Sequence, residues 1–250
     1  MIFDPGFYLV AGLAVLILGL AKGGFTGVGQ IATPLMALVL PPLQAAAILL
    51  PILLVQDLIS VYVYRHTWSR WNIRVMLPGA VVGIGIAWAL AQHLNDNYVR
   101  LALGVVAFLF VLIYWFGLSH KLAPKPSAVS GAIAGVLAGF TSTIAHAGAP
   151  PFQMHVFPQK LDKLTFAGTS AVFFAAMNYI KVIPFFALGQ LTSENLVISA
   201  TLLPLAIATN ILGIWLVRVM PTEWFYRVIY VLMFLISIEL MREGLTGILA

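Results

Sequence analysis

Long stretches almost free of charge limit what this chain can fold into more than any other feature. Residues 43–64 hold one charged side chain, Asp57, and residues 75–92 hold none. Similar stretches follow at 98–117, 164–188, 196–217 and 225–238. A helix that crosses a bilayer needs roughly 20 predominantly apolar residues, so these six are read as membrane spans. Only 8% of all residues are charged and 62% are hydrophobic, with a mean hydropathy of +1.03. Ordinary globular domains carry about 25% charged residues. So few charges cannot clothe a water-soluble surface, which excludes a cytosolic enzyme and most nucleic-acid binders. An all-α, multi-pass membrane protein is the fold class that remains.

Two further apolar regions do not fit a simple span. Segments 7–21 and 28–40 are short and flank Lys22-Gly-Gly-Phe-Thr-Gly-Val-Gly29. Segments 128–140 and 146–157 are also short and flank Thr141-Ser-Thr143. At 1.5 Å per residue, a helix of about 13 residues covers only about 20 Å of a hydrocarbon core roughly 30 Å thick. Glycines and the prolines Pro34, Pro150 and Pro151 argue against one continuous helix through either region. Each is expected to be a broken or re-entrant helix pair meeting inside the membrane.

Loop charges orient the chain. Arg65, Arg70 and Arg74 share one connection and Lys121 and Lys125 another, while Lys160 and Lys163, then Arg218 and Arg227, mark two more. Basic loops face the cytoplasm, which puts both termini on the non-cytoplasmic side of a cell membrane. Trp68, Trp71, Tyr98, Tyr114, Trp115, Trp224 and Tyr226 fall at segment ends, where aromatic side chains suit the headgroup region. The first residues, Met1-Ile-Phe-Asp4, lack the basic start of a cleavable signal peptide. There is no cysteine, hence no disulfide or thiolate chemistry.

The two irregular regions resemble each other. Gly24-Phe25-Thr26 matches Gly139-Phe140-Thr141, and Ala32-Thr33-Pro34 matches Gly148-Ala149-Pro150. The order continues through Ala46-Ala47 and Ala167-Gly168, which pairs Asp57 with Asn178, then through Leu77-Pro78 and Leu203-Pro204. Residues 1–120 and 121–250 thus read as two repeats, each a broken pair followed by three spans. An odd number of crossings per half makes the second repeat inverted in the membrane. Inverted repeats with discontinuous helices are a common build of secondary transporters, with the substrate site near the midplane.

The glycine-rich Lys22-Gly-Gly-Phe-Thr-Gly-Val-Gly-Gln30 followed by Ala-Thr-Pro34, echoed in weaker form mid-chain, resembles the TauE/SafE family of sulfite and organosulfonate exporters. The resemblance extends over essentially the whole chain. It implies an integral-membrane permease for sulfur-containing anions such as sulfite, sulfoacetate or related sulfonates.

Candidate site residues follow from the helix breaks. A helix that restarts inside a membrane points free N–H groups and its positive dipole end into the gap, and glycine allows an anion close to the backbone. Gly24, Thr26, Gly27 and Gln30 are the donors expected at the first break. Thr141, Ser142, Thr143 and His146 are those expected at the second, although hydroxyls also bond back to their own helix. Asn178 and Lys181 share a helix face. Lys181 is either a counter-charge for the anion or a side chain reaching to the interface. Asp57, in mid-span, must be paired, protonated or wet. It and His146 are the candidates for proton coupling, with a structural bond to a broken helix as the alternative for Asp57. The position of Lys22 stays open between vestibule and cytoplasmic boundary. Asn210 is read as an interhelical hydrogen bond, and Glu239 with Arg242 as a local ion pair.

The function expected is a secondary permease working by alternating access, most simply an exporter; a passive anion or proton channel of the same architecture is the alternative. No H-E-x-x-H or G-x-S-x-G motif and no second membrane carboxylate supports catalysis. Neither cofactor nor metal is expected. The partners are a small anion and lipid, with room for a homo-oligomer and none for nucleic acid.

Overall fold

The computed structural model describes residues 5–23, 28–91, 95–117, 126–219 and 223–249. These are helical throughout, with no strand among them. In chain order the helices are α1 (Pro5–Lys22), α2 (Ala32–Ala37), α3 (Pro42–Tyr64), α4 (Arg70–Ala91), α5 (Asp96–Trp115), α6 (Ala128–Ala145), α7 (Ala149–Val156), α8 (Lys163–Ala187), α9 (Ser193–Val219) and α10 (Glu223–Leu249). A short 3₁₀ turn, Val28–Ile31, leads into α2, and another, Phe157–Gln159, follows α7. Helices α3, α4, α5, α8 and α9 are long and apolar enough to cross a membrane. The sixth expected span, 225–238, lies inside α10, a single helix of 27 residues.

Both irregular regions are interrupted, as expected, but the second break falls later than its sequence indicated. Helix α6 runs through Thr141, Ser142 and Thr143 to Ala145. Thr141 and Thr143 donate their hydroxyls to the carbonyls of Leu137 and Gly139, each at 2.8 Å, so they are absorbed within the helix. The chain turns at His146, which adopts the left-handed conformation (φ 52°, ψ 25°) and caps α6 through its N–H to the Ser142 carbonyl. Two prolines open α7, where a missing N–H costs least.

Packing pairs the halves crosswise. Helix α1 lies against α9, α6 against α4, α3 against α8, and α5 against α10. The α4–α6 seam is made by glycines. A Cβ on Gly135 would come within 2.0 Å of the Met76 carbonyl oxygen, and one on Gly139 within 2.1 Å of that of Ala80. The α1–α9 seam has the same character, since a Cβ on Gly19 would strike the Thr209 hydroxyl. Lipid tails offer no hydrophobic drive for helix association, so close backbone approach at small residues supplies it. Polar side chains then lock the register of α3 on α9. Gln56 donates to the Ala206 carbonyl and Asn210 to the Gln56 carbonyl, each at 3.0 Å, so Asn210 makes the interhelical bond its sequence context indicated.

Candidate functional site

The ends of the broken helices are held by α3 and α8. Ser60 donates to the Lys22 carbonyl at 3.0 Å and Tyr64 to the Gly23 carbonyl at 2.9 Å, capping the end of α1. At the end of α6, Lys181 donates to the Ser142 carbonyl at 3.0 Å as a second donor beside the His146 N–H. Helix ends leave carbonyls without intrahelical partners, and membrane interiors provide no water to satisfy them. Ser60 and Tyr64, three and seven residues beyond Asp57 on α3, make these bonds to the backbone of the broken helix.

Asp57 is fully buried and ionically paired. Lys22 contacts its Oδ1, and the Asn178 side-chain amide donates to its Oδ2 at 2.6 Å. Lys22 therefore turns its side chain inward onto α3, and its ammonium also stands 5.7 Å from the centroid of the Phe174 ring. Lys181 does not reach to the interface. It is fully buried, and beyond the Ser142 carbonyl its Nζ contacts Ser142 Oγ at 3.0 Å and His146 Nδ1 at 2.8 Å. These three acceptors match the three N–H bonds of an ammonium. His146 Nε2 lies 3.0 Å from the Ala46 carbonyl. A carbonyl can only accept, so Nε2 carries the hydrogen and Nδ1 is the acceptor for Lys181. Both ring nitrogens are thus engaged within the protein.

Beside this cluster is a partly open cavity of about 70 Å³. Lys22, Ser142, His146, Ser170 and Asn178 form its polar lining, and Leu18, Leu53 and Phe174 its larger apolar walls. Ala149 lines it at the start of α7. Along α8 the lining residues are Ala167, Ser170, Ala171, Phe174 and Asn178, one helical stripe. That stripe spans about 16 Å and reaches from mid-helix to within about a turn of the α8 N-terminus. On the far side of His146 the space is filled by Ala46, Ala47, Leu50 and Phe185, all fully buried.

Of the expected site residues, the structure gathers Ser142, His146 and Asn178 at the cavity, with Lys181 directly behind the first two. Thr141 and Thr143 do not line it, because their hydroxyls serve α6. Gly24, Thr26 and Gly27 lie outside the described residues, as does the side chain of Gln30. Lys22, Ser170 and Phe174 were not singled out as site residues from sequence. The i, i+3, i+4, i+7, i+11 stripe on α8, small or polar at every position but Phe174, was the available signal. Among the described residues no group of acids and histidines could hold a metal. Glu239 and Arg242 form the local ion pair expected of them, away from the site.

Long apolar helices around a cavity lined by Lys22, Ser142, His146, Ser170 and Asn178 define an all-α, multi-pass membrane protein. The chain belongs to the sulfite exporter TauE/SafE family, whose model matches residues 11–240. No curated protein and no solved structure matches it.

Proposed function

We propose that this protein is a secondary permease that moves a small sulfur-containing anion, outward across the cell membrane, by alternating access around the central cavity. One observation carries the reading: among the described residues the cavity is lined by one lysine, Lys22, together with Ser142, His146, Ser170 and Asn178 and by no carboxylate, and a second lysine, Lys181, stands directly behind Ser142 and His146. Lys22 has N–H bonds beyond the one used on Asp57, Asn178 has a second amide hydrogen, and the Ser142 oxygen that accepts from Lys181 keeps its own hydrogen. These are the groups we assign to the anion, with Lys181 supporting them from behind and His146 held at the cavity wall by its two ring contacts. The polar end suits a sulfite or sulfonate group and the apolar walls suit a short carbon body.

The helix pairings support the inverted repeat. Exchanging each helix of the first half with the one five places later turns α1–α9 into α6–α4, and α3–α9 into α8–α4, while α3–α8 and α5–α10 map onto themselves. The same exchange relates Ser60 on the Lys22 carbonyl to Lys181 on the Ser142 carbonyl. It brings Asp57 opposite Asn178, the pairing the sequence indicated. With basic loops inside and both termini outside, the cavity extends toward the cytoplasm.

Thermal shift of purified protein with sulfite, methanesulfonate, sulfoacetate, taurine and acetate tests the reading. A ligand that binds only the native state raises its Tm. A shift with a sulfur anion that is lost in Ser142→Ala and kept in Thr141→Val is the expected result. A shift with acetate alone would discard the substrate class, and unitary currents in a bilayer would replace the carrier with a channel.

A further inference from the structure

We infer that the central site is built for a singly charged anion, and that Asp57 sets this preference by neutralising one of the two lysines. The inference rests on the reading of the cavity as the anion site.

The charges around the cavity can be summed from the hydrogen bonds. Lys181 has three acceptors, Ser142 O, Ser142 Oγ and His146 Nδ1, and no carboxylate among them. An ammonium with these three acceptors carries a full positive charge that no carboxylate touches. Lys22 is matched by Asp57, whose two oxygens each accept from one donor, Lys22 and Asn178. His146 is neutral, because Nδ1 accepts while Nε2–H donates to the Ala46 carbonyl. Tyr64 keeps its proton on the Gly23 carbonyl. Two ammoniums against one carboxylate leave a single positive charge.

A monoanion brings such a site to neutrality. A dianion leaves one negative charge uncompensated in a poorly solvated interior, which is costly. Removing the Asp57 charge would instead match a dianion. Asp57 does so without lining the cavity, so it acts on specificity through the field and not through contact.

Methanesulfonate and sulfate share a tetrahedral shape and differ by one charge, and they are the probes. Binding of each to the full-length protein in detergent is measured by calorimetry. The wild type is expected to prefer methanesulfonate. Hydration alone also disfavours sulfate, so the change in the ratio carries the test. In Asp57→Asn the ratio moves toward sulfate by about tenfold or more, the scale of one unit charge at short range in a protein interior. Ala171→Lys adds a positive charge on the cavity wall while the ion pair stays intact. It is expected to move the ratio the same way and stands in should Asp57→Asn not fold. An unchanged ratio in these variants, or sulfate bound as tightly as methanesulfonate by the wild type, overturns the inference and leaves the anion site standing. Binding of neither anion to the wild type overturns the anion site itself.

Discussion

Asn178 donates its side-chain amide to Asp57 Oδ2 at 2.6 Å, joining α8 to α3 at positions that the sequence comparison of the halves had placed in register. Lys22 takes the other oxygen, so a residue from a broken helix completes the join. Removing Lys22 leaves a fully buried carboxylate with one amide for company. Truncating one partner of a buried pair typically costs about 3–5 kcal/mol, whereas replacing both is often close to neutral. Lys22→Met is therefore expected to lower the melting temperature sharply, and Lys22→Met with Asp57→Asn to recover most of the loss. A double variant as unstable as the single one would show that the ion pair is not the reason.

The glycine seam between α4 and α6 makes a sharper packing prediction. Gly139→Ala inserts a methyl group where the Ala80 backbone already stands, and overpacking of this kind costs about 1–3 kcal/mol. On the same helix α4, Gly85 has nothing within 4 Å of its would-be Cβ. Gly85→Ala should be neutral or stabilising by up to about 1 kcal/mol through helix propensity. Detergent unfolding curves for the two variants should separate in that order.

His146 combines a left-handed backbone with a ring that holds Lys181. His146→Gly relieves the backbone and loses the ring, while His146→Val loses the ring and forces a β-branched residue into positive φ. The valine variant should be the less stable by about 1–2 kcal/mol, and both should lose affinity for the anion because Lys181 is no longer anchored. Equal stabilities would mean that the turn relaxes on substitution.

Absence of native cysteine makes accessibility direct to measure. Ala167→Cys and Ala171→Cys, on the α8 stripe of the cavity, should react with a membrane-impermeant maleimide added from the cytoplasmic face. Leu50→Cys and Phe185→Cys, in the packed cluster beyond His146, should be protected from both faces, and substrate should slow labelling at Ala171→Cys. Labelling of the cavity positions from the outside only would reverse the orientation proposed for the termini.

Charge-poor stretches made the membrane class and the spans legible in the sequence, because burial in hydrocarbon constrains every residue of a span alike. Glycine and proline punctuation located two interrupted regions, since both residues act on the backbone whatever surrounds them. Ser142, His146, Asn178 and Lys181 were legible too, as polar side chains in segments where polarity is expensive. Composition could not tell, however, that Thr141 and Thr143 would satisfy themselves on α6 while Ser142, between them, would turn to the cavity. Nor could it tell that Lys22 would reach across 35 positions to Asp57, or that Lys181 would stay buried on Ser142 and His146. Local chemistry and hydropathy are written residue by residue. The partner of a buried charge is a matter of which helices meet, and here the glycine seams and the broken helix ends decided that only once the chain had folded.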